Sequence, residues 1–200
     1  DNGVQNILTT SGSTLKILEL GHSQLSDAAL EGVNLPKLEE LGMYGCWNLN
    51  DAGANKVLIN RGSTLKILNL GYTEITIAAL EGVILPKLEE LGLYACWNLT
   101  DTGVQKALTI SGSTLKILEL GNTKFTGTGL EGVILPKLEK LGLNRCYNLT
   151  DTGVRKVLTI SGSSLKILNL GHTKITGAAL EEATLPKLEE LSLNRCWNLT

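Results

Sequence analysis

The 200-residue chain carries 18 basic and 20 acidic side chains, a net charge of −2, 42% apolar residues and few aromatics. That composition lies above the disordered range and gives no sign of a broad nucleic-acid or anionic-membrane footprint. No apolar run approaches the length of a membrane span, and the opening Asp1-Asn2-Gly3 is unlike a signal peptide.

Self-similarity dominates everything else. The chain falls into four blocks, 1–50, 51–100, 101–150 and 151–200, with no linker visible between them. All four cysteines share one phase (Cys46, Cys96, Cys146, Cys196), as do the four prolines (Pro36, Pro86, Pro136, Pro186). Each block opens on a helical pattern. In block three Thr100 or Asp101 can cap it, Val104, Ala107 and Leu108 share a face, and Gly112 suits the stop. Block four repeats this with Val154, Val157, Leu158 and Gly162.

Two strand signals follow in each block. Units begin at Leu15, Leu38, Leu65, Leu88, Leu115, Leu138, Leu165 and Leu188, alternating short and long. Leucines two apart, such as Leu91 and Leu93, point to one face of a short strand, and the residues between them to the other. One unit cannot bury such a face alone, so stacking is required, and it builds a parallel sheet over a leucine core. The short unit's return path, such as 176–183, has room for a turn or two of helix before Leu-Pro-Lys-Leu closes it. At the ninth position of each unit a Ser, Thr or Cys turns the chain inward.

The pattern Leu-x-x-Leu-x-Leu-x-x-(Cys/Thr/Ser) resembles the leucine-rich repeat over the whole chain. The long unit, with Cys-x-x-Leu-(Thr/Asn)-Asp-x-Gly, looks like the cysteine-containing subclass of F-box-type substrate receptors. The alternation of two unit types is similar to that in ribonuclease inhibitor. The resemblance implies a single α/β array over 1–200, a right-handed leucine-rich repeat solenoid. Its expected shape is a curved horseshoe with the parallel sheet on the concave face and short helices on the convex face.

Successive cysteines sit two strands apart, roughly 9–10 Å, beyond the ~7 Å reach of a disulfide. That spacing also argues against a zinc site, and the thiols read as buried and structural. Unpaired thiols suggest a cytoplasmic or otherwise reducing compartment. Three sequons, Asn98-Leu-Thr100, Asn148-Leu-Thr150 and Asn198-Leu-Thr200, read more simply as repeated turn residues. No repeated Ser/His/Asp set and no phosphate-cradling glycine loop occurs, so neither catalysis nor a cofactor is expected.

The concave face is expected from the third, fifth, seventh and eighth positions. There the frame holds while side chains vary: Tyr44, Tyr72 and Tyr94 in the first half, then Asn122, Asn144, Arg145, His172, Asn194 and Arg195. Tyr and Arg on a rigid concavity suit a protein partner. A solvated scaffold with no partner is the alternative. At the second position Lys and Glu alternate, predicting a ladder across strands. Trp47, Trp97, Tyr147 and Trp197, each following a Cys, read either as a binding rim or as mortar between turns, with recurrence favouring mortar. No polar caps are visible. An excised fragment, an engineered or duplicated repeat, and end-to-end self-association through the uncapped termini, Thr200 of one molecule meeting Asp1 of another, all fit that pattern.

Overall fold

The computed structural model describes residues 1–199 and all of their side chains except those of Asn60 and Arg61. Eight three-residue strands form one sheet in chain order: β1 (Ile17–Glu19), β2 (Glu40–Gly42), β3 (Ile67–Asn69), β4 (Glu90–Gly92), β5 (Ile117–Glu119), β6 (Lys140–Gly142), β7 (Ile167–Asn169) and β8 (Glu190–Ser192). Every pairing is parallel and in register. The fourth-position leucines therefore line up as one row, Leu18 to Leu191. A single row of that kind, with identical side chains meeting unit after unit, is what an exact repeat imposes.

Helices α1 (Asn2–Ser11), α2 (Asp51–Arg61), α3 (Asp101–Ser111) and α4 (Asp151–Ser161) return the chain from the long units. Single 3-10 turns at Asp27–Leu30, Ile77–Leu80, Thr128–Leu130 and Gly177–Ala179 return it from the short ones. The two kinds of return segment pack alternately along the array. This is an α/β repeat solenoid, one parallel sheet with helices and 3-10 turns returning the chain between its strands.

The capping pattern follows the residues. Asn50, Thr100 and Thr150 accept backbone N–H bonds at the starts of α2, α3 and α4. The expected glycine stop takes a different form. Gly112 and Gly162 follow their helices at φ −58° and −57°, in right-handed geometry. Space is the reason for glycine there: a Cβ on Gly112 would lie 2.6 Å from the Leu108 carbonyl and 2.9 Å from that of Ile134. The helix end is pressed against the neighbouring return segment.

Polar side chains stitch unit to unit. Asp51 accepts from the Thr76 N–H and hydroxyl, both at 2.7 Å, and Asp151 does the same with Thr176 at 2.8 and 2.7 Å. Asp101 holds Thr126 and also the Gly129 N–H, at 3.0 Å. Position in the helix's first turn suits these carboxylates, and the structure adds a clamp on the next unit. Asn55 and Arg155 donate to carbonyls of the following 3-10 segment, and Gln105 donates to that of Glu131 just after it.

The Lys–Glu ladder is present on the exposed second positions. Glu39 pairs with Lys66 at 2.5 Å and more loosely with Lys16 at 3.7 Å, while Glu89–Lys116 and Glu139–Lys166 both lie at 2.8 Å. Hydrogen bonds from these lysines hold the three carboxyls below the usual glutamate range. Such solvated pairs favour register more than stability.

The core is continuous from Leu8 to Cys196. In β8, the last strand among the described residues, Leu191 is 44% exposed, whereas its counterparts Leu91 and Leu141, flanked by strands on both sides, are fully buried. Thr200, invoked for an end-to-end contact and as the last sequon residue, lies outside the described residues.

Candidate protein-interaction surface

The seventh and eighth positions lie beyond the strands, in the turn that leaves them. Even so, backbone pairing continues to the eighth residue. The N–H groups of His22, Tyr72, Asn122 and His172 donate to the carbonyls of Tyr44, Tyr94, Asn144 and Asn194 at 2.7–2.8 Å. The chain then folds back within the same unit, the ninth N–H reaching the sixth carbonyl, as in Cys96 to Leu93 at 3.2 Å.

A turn of this kind places its third residue at positive φ. All eight eighth-position residues are there, from Tyr72 at 53° to Gly45 at 67°. Glycine or asparagine fits that conformation at least cost, and other side chains are disfavoured by roughly 1–2 kcal/mol. Gly45 and Asn122 obey this preference. Tyr72, Arg145, His172 and Arg195 do not, so the backbone gives no reason for their presence.

The first-half tyrosines come together as one ladder. His22 meets Tyr44 edge-on with ring centroids 5.0 Å apart, Tyr44 meets Tyr72 at 5.0 Å, and Tyr72 stacks on Tyr94 at 5.4 Å with planes 26° apart. Trp97 meets Tyr72 edge-on at 6.0 Å and stacks on Trp47 at 5.9 Å. The rings remain partly open to solvent. Partial burial, and then the neighbouring Tyr72 phenol, push the Tyr44 and Tyr94 hydroxyls above the ordinary tyrosine range. Arg145 and Asn144 pull Tyr94 back in part.

Glycines make room for this ladder. A Cβ on Gly71 would lie 3.0 Å from the Tyr44 ring, and one on Gly121 would lie 2.8 Å from the Tyr94 ring and 2.7 Å from Asn144 Oδ1. Each tyrosine of a long unit therefore lies across the glycine of the next short unit. The fifth position mirrors this arrangement. There Glu19 and Glu119 overlie Gly42 and Gly142, and Glu119 pairs with Lys140 at 2.9 Å.

The second half is built differently. Asn144 and Arg145 join the ladder at Tyr94, and no ring contact continues beyond it among the described residues. Asn122 and His172 are half-buried in the turn row, while Arg145, Asn194 and Arg195 are exposed. Of the nine expected residues, four or five form a contacting cluster and the rest are spaced singly along the units.

Beneath the surface runs the ninth-position row. The Thr73 hydroxyl and the Cys96 thiol both donate to the Leu70 carbonyl, at 2.6 and 3.2 Å. The same sharing recurs at Leu120 with Thr123 and Cys146, and at Leu170 with Thr173 and Cys196. A thiol and a hydroxyl from neighbouring units thus use one carbonyl jointly. The four cysteines are free and buried. Burial pushes the Cys96 thiol up to about 11, the Thr73 hydrogen bonds opposing it, and it raises Cys146 too. These are poor nucleophiles.

The sequon residues Asn98 and Asn198 donate their amides to the carbonyls of Glu74 and Lys174 in the preceding unit. The Asn48 amide does the same to Gln24 without belonging to a sequon. The aromatics after each Cys are less buried than mortar requires: Trp97 is 40% exposed and Trp197 79%. Among the described residues, only Trp47 and Trp97 of this set stack on one another.

Sequence reasoning missed His22 as a ladder member, and it missed Gly71 and Gly121 as its seats. The signal was available, since the seventh position of every short unit is glycine. Among the described residues no group of three His, Cys, Asp or Glu side chains could hold a metal. A groove of about 410 Å³ lies on the helix side between α3 and Ile77–Leu80, away from the tyrosines.

No protein-family model and no curated protein matches the chain. Among solved structures, a chain of the crystal structure of the Rad7 and Elc1 complex in yeast is similar in outline at 19% identity and a TM-score of 0.48. The match covers 98% of this chain and 66% of that one, so this chain spans about two thirds of that protein's length.

Proposed function

We propose that this chain is a protein-interaction module that engages a protein partner through its strand face and the adjoining turn row. The carrying observation is the contiguous ladder His22–Tyr44–Tyr72–Tyr94, held at ring distances of 5.0–5.4 Å on a backbone pinned by interunit hydrogen bonds. Tyrosines of this kind contribute large contact area at small entropic cost, and each keeps a hydroxyl for a polar partner. Their spacing is fixed before any partner arrives, which lowers the ordering cost of association.

The long unit's likeness to the F-box-type subclass makes substrate recognition within a ubiquitin-ligase adaptor one specific form of this role. No catalytic role is assigned: the four thiols are buried, burial raises those of Cys96 and Cys146, and each clamp aspartate already accepts interunit hydrogen bonds. The test is affinity capture with the intact chain and with Tyr44→Ala/Tyr72→Ala/Tyr94→Ala. Capture of a protein by the intact chain that the triple variant loses supports the reading. Equal capture by both would show that the tyrosines do not carry the contact, and capture of nothing favours a scaffold without a partner of its own.

A further inference from the structure

We propose that the turn row of the last four units seats an extended acidic segment of the protein partner, its carboxylates paired with Lys124, Arg145, Lys174 and Arg195. The proposal rests on the interaction role above and adds the chemistry of what is bound. It comes from comparing the blocks at two positions, the tenth of the short unit and the eighth of the long one. Blocks one and two carry Gln24 with Gly45 and Glu74 with Ala95. Blocks three and four carry Lys124 with Arg145 and Lys174 with Arg195. A frame otherwise repeated nearly residue for residue has changed from neutral or acidic to basic at all four places.

Lack of an ion-pair partner and absence from the repeated frame separate these cations from the other surface charges. All four are exposed, and none is in an ion pair among the described residues, whereas seven lysines elsewhere are. A second unpaired set, Lys37, Lys87, Lys137 and Lys187, recurs in every block and belongs to the repeated frame. Arg145 and Arg195 sit at φ 61° and 55°, in a conformation that Gly45 adopts at the equivalent place at 67°. Every unit shares that turn, so what is particular to these two positions is a long cation where Gly45 and Ala95 stand in the first two blocks.

Geometry and neighbours favour a peptide. One cation per unit over four units spans roughly 15 Å at the spacing of parallel strands, the reach of four or five extended residues. Guanidinium forks suit carboxylates, and the amides of Asn122 and Asn144 beside them can both donate to and accept from a peptide backbone. The nearby carboxylate of Glu119 is already held by Lys140 at 2.9 Å, so it does not neutralise the row. A net charge of −2 for the chain is unsuited to tracking a nucleic-acid backbone.

Fluorescence anisotropy on the whole chain tests this. The probes are a labelled peptide of alternating Glu and Ser, its Gln-for-Glu counterpart, and an oligothymidine of matched charge. The Glu peptide is expected to bind at low salt, to weaken as salt rises, and to outcompete the other two. In Lys124→Gln/Arg145→Gln/Lys174→Gln/Arg195→Gln its affinity should fall roughly tenfold or more, while Lys37→Gln/Lys87→Gln/Lys137→Gln/Lys187→Gln should change it less than about twofold. Equal loss in both variants, no binding of the Glu peptide, or tighter binding of oligothymidine would overturn the proposal. If tyrosine-dependent capture persists while the Glu peptide fails, only this inference falls; if both fail, so does the interaction role.

Discussion

The ring of Tyr72 stacks on that of Tyr94, centroids 5.4 Å apart, although the two residues come from different kinds of unit and one of them sits at positive φ. That contact converts two isolated sequence positions into part of one continuous surface. It also couples their chemistry, because Tyr72 contributes to raising the Tyr94 hydroxyl.

The coupling has a measurable consequence. In Tyr72→Phe the ring remains and the phenol is gone, so the Tyr44 and Tyr94 ionisation midpoints should fall toward the ordinary tyrosine value without reaching it, since partial burial is the larger cause. Ultraviolet difference titration reads this directly. Unchanged midpoints would mean that the phenols do not influence one another in solution.

The glycine seats can be tested by contrast. Gly121→Ala places a Cβ against the Tyr94 ring and Asn144, so it should disturb the near-ultraviolet circular dichroism of the ladder and cost about 1–3 kcal/mol. Gly3→Ala lies in exposed helix with nothing within 4 Å and should stabilise by about 0.5–1 kcal/mol. Urea unfolding of the two variants should give opposite signs.

The aspartate clamp predicts a coupled pair. Asp51→Ala should cost about 1.5–3 kcal/mol, because it strands the N–H and hydroxyl of Thr76 together. A double-mutant cycle with Thr76→Ala should return a coupling of at least ~0.5 kcal/mol. Additive effects would show that the carboxylate acts only on its own helix.

Alkaline pH should loosen the array through its thiols. The Cys96 thiol has its folded pKa raised from 9.0 to about 11. Between those values the unfolded chain loses the proton while the folded chain keeps it. Stability is therefore intact below pH 9.0 and falls as pH rises to about 11, by roughly 3 kcal/mol for this one group. In Cys96→Ala the fall should be correspondingly shallower, whereas the loss from deprotonating Lys66 and Lys166 at higher pH should persist. The native thiols should also resist alkylation until the chain unfolds.

Much of this molecule is readable from one block. Leucines at the first, fourth and sixth positions determine a strand with one buried face, and repetition in phase leaves in-register parallel stacking as the way to bury it. The helix over 101–111 is announced by Thr100 and by Val104, Ala107 and Leu108, the Lys–Glu ladder by alternation at the second position, and the buried cysteines by their spacing. These features depend on local periodicity, which survives in a linear string.

The contacts between units are not written in that string. Periodicity shows that Tyr44, Tyr72 and Tyr94 vary where the frame does not. It does not show that Gly71 and Gly121 leave hollows into which two of those rings lean, or that His22 and Trp97 complete the cluster. Nor does it show that Asp51 reaches a threonine in the next unit, or that a thiol and a hydroxyl share one carbonyl. Apart from the Thr73–Leu70 bond inside one unit, each of these contacts joins residues 22–27 positions apart, and their distances are set by strand spacing and by the positive-φ turn at the eighth position. Sequence fixes which side chains are offered; the stacking of one unit on the next decides which of them meet.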